Sequence, residues 1–152
     1  MEISFECKGL KQLCEKLERL KGIEKDPEID KELGRGAAMM QGAVKMLTPV
    51  DTGNLRNKIF IDHKQLMVYT VETNVEYAMY VEYGTGLLGD PSVPHTSKES
   101  WVYYSDKLQR FVTTHGQKPA HMFSKGFQTM HKKVFDNIEK KVQVIIKRAG
   151  RN

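Results

Sequence analysis

The sequence predicts an α+β domain: an antiparallel, curved β-sheet packed by two long α-helices, with a short N-terminal helix beside them. Three observations carry this. Two stretches, 27–47 and 123–145, repeat apolar residues at three- and four-residue steps over several turns. Two pairs of short segments rich in β-branched and aromatic residues, at 58–73 and 101–114, are each split by a few polar residues, as antiparallel hairpins are. The patterns follow in the order β, α, α, ββ, loop, ββ, α, with no internal repeat and no low-complexity tract. At 152 residues this is one domain, with an extended loop and hairpin at about 84–118.

Residues 2–7, EISFEC, alternate polar with apolar and suit a short half-buried strand. Leu10, Leu13, Cys14, Leu17 and Leu20 then recur at helical spacing until Gly22 closes the pattern. Asp26 is a good cap for the next helix, and Pro27 sits where a missing amide costs nothing. Ile29, Leu33, Ala37, Met40, Val44 and Leu47 form its apolar stripe, while Gly34, Gly36, Ala38, Gly42 and Ala43 leave room for a neighbouring backbone. Each glycine costs roughly 1 kcal/mol of helix propensity relative to alanine, so their density predicts close packing or local fraying. The helix stops at Thr48-Pro49, because proline lacks the amide donor and biases the residue before it away from helical dihedrals.

After this corner, KIFIDH and LMVYTVET read as an antiparallel hairpin with its turn around Lys64-Gln65. Residues 75–83, VEYAMYVEY, are ambiguous between strand and short helix. GTGLLGDPSVP is loop. WVYY and RFVTT, separated by SDKLQ, suggest a second hairpin. Phe123, Phe127, Met130, Val134, Ile138, Val142 and Ile145 give one continuous stripe on a final helix of about 25 residues, which needs a sheet or another helix to lie on.

The composition, 39% hydrophobic and 28% charged, fits a globular protein. No apolar run approaches the roughly 18 to 20 residues needed to cross a bilayer, and the N-terminus lacks a signal-peptide core. A protein that stays in the cytosol where it is made, without a membrane partner, is expected. Cys7 and Cys14 fit that compartment, Cys14 as a small residue on the leucine face. His63, His95, His115, His121 and His131 lack zinc-ligand spacing, so neither metal nor cofactor is expected.

Several chemical signatures fail on context. Gly84, Gly86 and Gly89 spell GxGxxG with Asp106 about 20 residues beyond, as in dinucleotide folds. Yet Pro91 and Pro94 follow at once, and no helix begins there to hold a pyrophosphate. The glycines are better read as supplying positive φ in a bent loop. No nucleophile elbow, phosphate loop, HExxH or paired-acid signature is present. Ser124 and Lys125 are adjacent on the last helix and point to different faces, so no catalytic residue is nominated. An enzyme would require a pocket gathering His115, His121 and acids.

The formal charge is +5. From His121 onward there are eight Lys/Arg against two acids, so the whole basic excess is C-terminal. Lys125, Lys132, Lys140 and Lys147 form a line opposite the apolar stripe, flanked by Lys133, Lys141 and Arg148. Such a line can track nucleic-acid phosphates or be a solvated face.

Three motifs occur in order: Thr48-Pro49-Val50-Asp51-Thr52-Gly53-Asn54-Leu55-Arg56; Tyr77-Ala78 with Tyr80-Val81-Glu82-Tyr83-Gly84-Thr85-Gly86; and Gly116-Gln117-Lys118-Pro119 leading to Phe123. Over roughly residues 25–150 the chain resembles the tail-completion and head-tail joining family of long-tailed bacteriophages and prophages. The resemblance implies a small α+β subunit of a ring, six-fold, at the neck or head-proximal end of the tail tube. It implies a structural virion protein without catalysis, assembled in the host cytoplasm, whose partners are copies of itself, the head connector and the tail tube.

The corner has a physical reading of its own. Asp51 or Thr52 can accept hydrogen bonds from backbone amides, Gly53 permits a sharp reversal, and Leu55 can turn inward. An ordinary connection in a monomer would use the same residues. Tyr77, Tyr80, Tyr83, Trp101, Tyr103 and Tyr104 crowd near the loop, and such rings are favoured at interfaces. Residues 84–100, with Gly84, Thr85 and Gly86 at their start, are expected either to reach a neighbouring subunit or to cover a local aromatic cluster. The alternative function is a basic nucleic-acid-binding protein that uses the C-terminal helix.

Overall fold

The structure, a computed structural model, describes residues 15, 18, 21–94, 96, 98–105 and 107–151. The expected N-terminal strand and the leucine face of the first helix lie outside the described residues, as do His95 and Asp106.

A 3-10 turn at Ile23–Lys25 leads into α1, Pro27–Leu47, where the Asp26 carboxylate accepts the Glu28 amide at 2.7 Å and proline opens the first turn. A single turn, α2 (Asn54–Asn57), enters the hairpin of β1 (Ile59–Gln65) and β2 (Val68–Thr73). Next come α3 (Ala78–Tyr83), β3 (Thr85–Gly86), β4 (Trp101–Ser105), β5 (Arg110–Thr114), β6 (Gly116–Gln117) and α4 (Met122–Arg151).

The molecule is α+β, but the strands do not join into the single curved sheet the sequence suggested. Among the described residues they pair as three two-stranded antiparallel ladders: β1 with β2, β3 with β6, and β4 with β5. The 75–83 segment resolves as the helix α3, because Ala78, Val81 and Glu82 recur at helical spacing toward the interior. The first hairpin turns at Leu66-Met67, two residues later than expected. The register shifts between His63 and Gln65, and the Met67 amide, at φ 67°, donates to the Asp30 carboxylate of α1 at 2.7 Å.

The long helix α1 organises the packing: α4 runs along one flank, and β1 and β2 lie on the other. Glu28 at the start of α1 receives Lys141 at 2.6 Å and Arg148 at 2.8 Å from the far end of α4, so the two helices run antiparallel. The Lys141 hydrogen bond, together with the charges of Arg148 and Lys141, holds the Glu28 carboxyl below its ordinary range.

Close approach is real at Gly36, where an added Cβ would come within 2.6 Å of Val134, and at its counterpart Gly126 on α4, 2.8 Å from Val44. Gly42 meets nothing within 4 Å, so the small-residue reading fails there. Val44, Leu55, Ile59, Val75, Ala78 and Met122 form the core, which sits where the end of α1, the hairpin, α3 and the start of α4 converge.

Candidate functional site

The Thr48–Arg56 corner lies directly over that core. Thr48 ends α1 with its backbone extended at ψ 121°, as the following proline requires. Its hydroxyl donates to the Val44 carbonyl at 2.7 Å and lies 3.3 Å from Met122 Sδ, so the corner is seated on the start of α4. Pro49 is exposed. Thr52 Oγ1 accepts the Asn54 amide at 3.3 Å, Gly53 takes φ 81°, and Leu55 is buried. Of the two candidate acceptors it is Thr52 that takes a backbone amide. Asp51 instead pairs with Lys107 at the tip of the second hairpin, at 2.6 Å, and this contact raises the Lys107 pKa. Arg56 is exposed, and Asn54 Nδ2 donates to the Tyr77 hydroxyl at 3.0 Å.

The tyrosine segment and the Pro-Phe motif are fastened by a motif residue to which the sequence reading gave no role of its own. Glu82, 5% exposed, accepts the Phe123 amide at 2.9 Å and the Ser124 amide at 3.1 Å, capping α4 from a distance. The Ala120 and His121 amides donate to the Val81 and Glu82 carbonyls.

The glycines of GTG then account for themselves. Thr85 and Gly86 pair with Gln117 and Gly116. A Cβ on Gly84 would collide with the Gln117 carbonyl, and one on Gly116 with the Thr85 carbonyl. Gly84, Gly86 and Gly116 all have positive φ. Gly84 and Gly86 are buried. Their task is to let two backbones touch, which closes the base of the 87–115 excursion.

Residues 11–84 match a family model described as "Bacteriophage HK97-gp10, putative tail-component". These residues carry the sequence of a phage tail-component family. The HK97-gp10-like segment contains α1, the whole corner, the first hairpin and α3, and ends at Gly84. It therefore agrees with the resemblance read from the motifs on a phage tail component. No curated protein and no solved structure gives a significant match to the chain.

Beyond the HK97-gp10-like segment, β4 and β5 form a hairpin whose two faces differ. Trp101 and Val112 are half-buried toward the body, whereas Val102 (62%), Tyr104 (47%) and Phe111 (74%) are exposed on the other face. Tyr104 meets Phe111 edge-on at 5.3 Å between centroids. Tyr103, expected as an interface residue, is 48% exposed, and Tyr80 61%. Tyr80, Tyr83 and Trp101 line a hollow of about 490 Å³ with Thr85, Val93 and Pro94.

The basic line divides. Lys141 and Arg148 are engaged with Glu28, and Lys125 Nζ donates to the Ala120 carbonyl at 3.2 Å. Lys132, Lys140 and Lys147 are exposed on the outer face of α4 with no ion pair among the described residues.

Proposed function

We propose that this protein is a structural component of the phage virion at the neck or head-proximal tail. In this reading it forms or joins a ring, six-fold, that completes the tail and connects it to the head, and it acts without catalysis or cofactor. The observation that supports it most directly is the tail-component match over 11–84, because that span contains the corner motif on which the resemblance also rests. Its partners are further copies of the chain, the head connector and the tail tube.

A ring repeats one angular step, so each subunit must hold its helices at a fixed angle to its hairpin. The corner supplies this stiffness through Thr48, Gly53 and Leu55. The excursion supplies the reach. A two-stranded hairpin is marginal in water by itself, and one that displays Val102, Tyr104 and Phe111 gains most when a partner covers them.

Light-scattering mass with negative-stain imaging of the purified protein tests this reading, and closed rings or ring-joining on the assembled neck are expected. Val102→Thr with Phe111→Thr, which keeps strand preference while removing apolar surface, should abolish association and leave the monomer's melting temperature unchanged. Deleting residues 87–98 should likewise impair docking. If rings and docking survive both changes, the excursion is not the contact.

The exposed row of Lys132, Lys140 and Lys147 favours a second reading, binding of a nucleic-acid backbone along α4. DNA affinity that falls steeply with salt, and is lost when the three are changed to glutamine, would support it over the first.

A further inference from the structure

The β4–β5 hairpin is joined to the body unequally on its two sides. One residue, His115, separates β5 from β6, and Gly116 at that junction has φ 108°, whereas residues 87–100 lie between β3 and β4. Between the two legs, His115 Nδ1 lies 3.0 Å from the Glu99 carbonyl, and an unbroken antiparallel register runs from Trp101–Thr114 to Ser105–Arg110. The hairpin is therefore one stiff piece with a short attachment on one side and a long one on the other. No side chain of β4 or β5 is fully buried. An added Cβ on Gly86 would come within 3.0 Å of the Trp101 ring, so that half-buried ring sits beside the attachment and not at the tip. The tip is tied to the body by Lys107 Nζ and Asp51 Oδ1, 2.6 Å apart, whose side chains are 75% and 69% exposed.

We propose that this hairpin is a hinged strap: it pivots at His115–Gly116, is held against the corner by the Lys107–Asp51 ion pair, and swings away when that pair is screened or when another charged group takes either partner. Segments with few buried apolar contacts open at little cost. A solvent-exposed ion pair shifts an equilibrium only about two- to five-fold, and that suffices to decide between two positions when little else favours either. The leverage is large. Five residues of strand span roughly 16 Å, so a rotation of about 30° carries the tip by roughly 8 Å. An acidic group on an incoming partner would compete with Asp51 for Lys107 and release the strap at the moment of contact. The inference concerns the single subunit and stands whether or not rings form.

The test places spin labels on the full chain at Leu108→Cys, exposed at the tip, and at Ala38→Cys, exposed on α1, after Cys7→Ser and Cys14→Ala. Labelled chain is diluted into unlabelled chain, so that double electron–electron resonance reads distances within one chain only. In dilute buffer one short distance is expected to dominate. Sodium chloride at about 1 M, where the screening length falls to about 3 Å, is expected to raise the ratio of long to short distances about two- to five-fold. Asp51→Asn is expected to give the same rise in dilute buffer and no further response to salt. A distance distribution that neither salt nor Asp51→Asn alters overturns the proposal, and so does a salt response that persists in Asp51→Asn. Should Asp51→Asn lose its helical circular dichroism, Lys107→Gln takes its place with the same expectations.

Discussion

At the scale of single residues, Glu82 shows how a charge can be buried and still stabilise. The first amides of α4 have no partner within the helix, and the Glu82 carboxylate takes two of them. Glu82→Ala would leave both amides unpaired inside the protein, so a loss of about 2–3 kcal/mol is expected in denaturant unfolding, with Glu82→Gln milder. The glycines predict a contrast. Gly53 needs only its positive φ, since a Cβ there would meet nothing closer than 3.7 Å. Asparagine tolerates that conformation, so Gly53→Asn should cost under about 1 kcal/mol. Gly116→Ala adds a collision with the Thr85 carbonyl to the strain, and a loss of about 3 kcal/mol or more is expected from the same measurement. The GTG glycines were legible as backbone special cases, because glycine has few other reasons to be placed so densely. Glu82 was not legible, since the amides it serves lie 41 and 42 positions along the chain.

At the scale of elements, α1 and the first hairpin are latched by Asp30. Its carboxylate accepts the Met67 amide at 2.7 Å and the Tyr69 hydroxyl at 3.0 Å, and His63, stacked on Tyr69 with ring centroids 4.2 Å apart, approaches it to 3.5 Å. The Met67 amide, then the Tyr69 hydroxyl and His63, hold the Asp30 carboxyl below its ordinary value, while burial and the nearby carboxylate push the Tyr69 phenol up. A carboxyl depressed in the folded state stabilises it above the unfolded pKa, and that contribution is lost as pH falls through the folded value. Asp30→Asn should therefore flatten the loss of melting temperature seen on acidification from about pH 5 downward. Both long helices could be read from their 3.6-residue period, and α4, at 30 residues, runs past its expected end, with Arg148 in the added turn paired to Glu28. The misplaced hairpin turn has a tertiary cause: the irregularity between His63 and Gln65, and Asp30's hold on Met67, leave no mark in local residue order.

At the scale of the whole molecule, the order of the main elements and the two hairpin pairings were legible, and the pairing of β3 with β6 was not. Period and turn residues say where a strand is, but pairing depends on which backbones can touch, and here glycines at both ends of an excursion decide it. The corner was read as a sharp reversal at Gly53 with Leu55 turned inward, and the structure adds its fastening to Met122 and, through Asp51, to Lys107 of the distant hairpin. That last contact is an exposed ion pair and contributes little to stability by itself. The two-by-two ladder of Thr85–Gly86 with Gly116–Gln117 works like the neck of a drawstring bag. The body senses where the chain leaves and returns, while loop length in between costs only about 0.6 kcal/mol per doubling. The contents of the bag can thus be exchanged for a shorter or differently shaped cassette without redesigning the frame that holds its mouth.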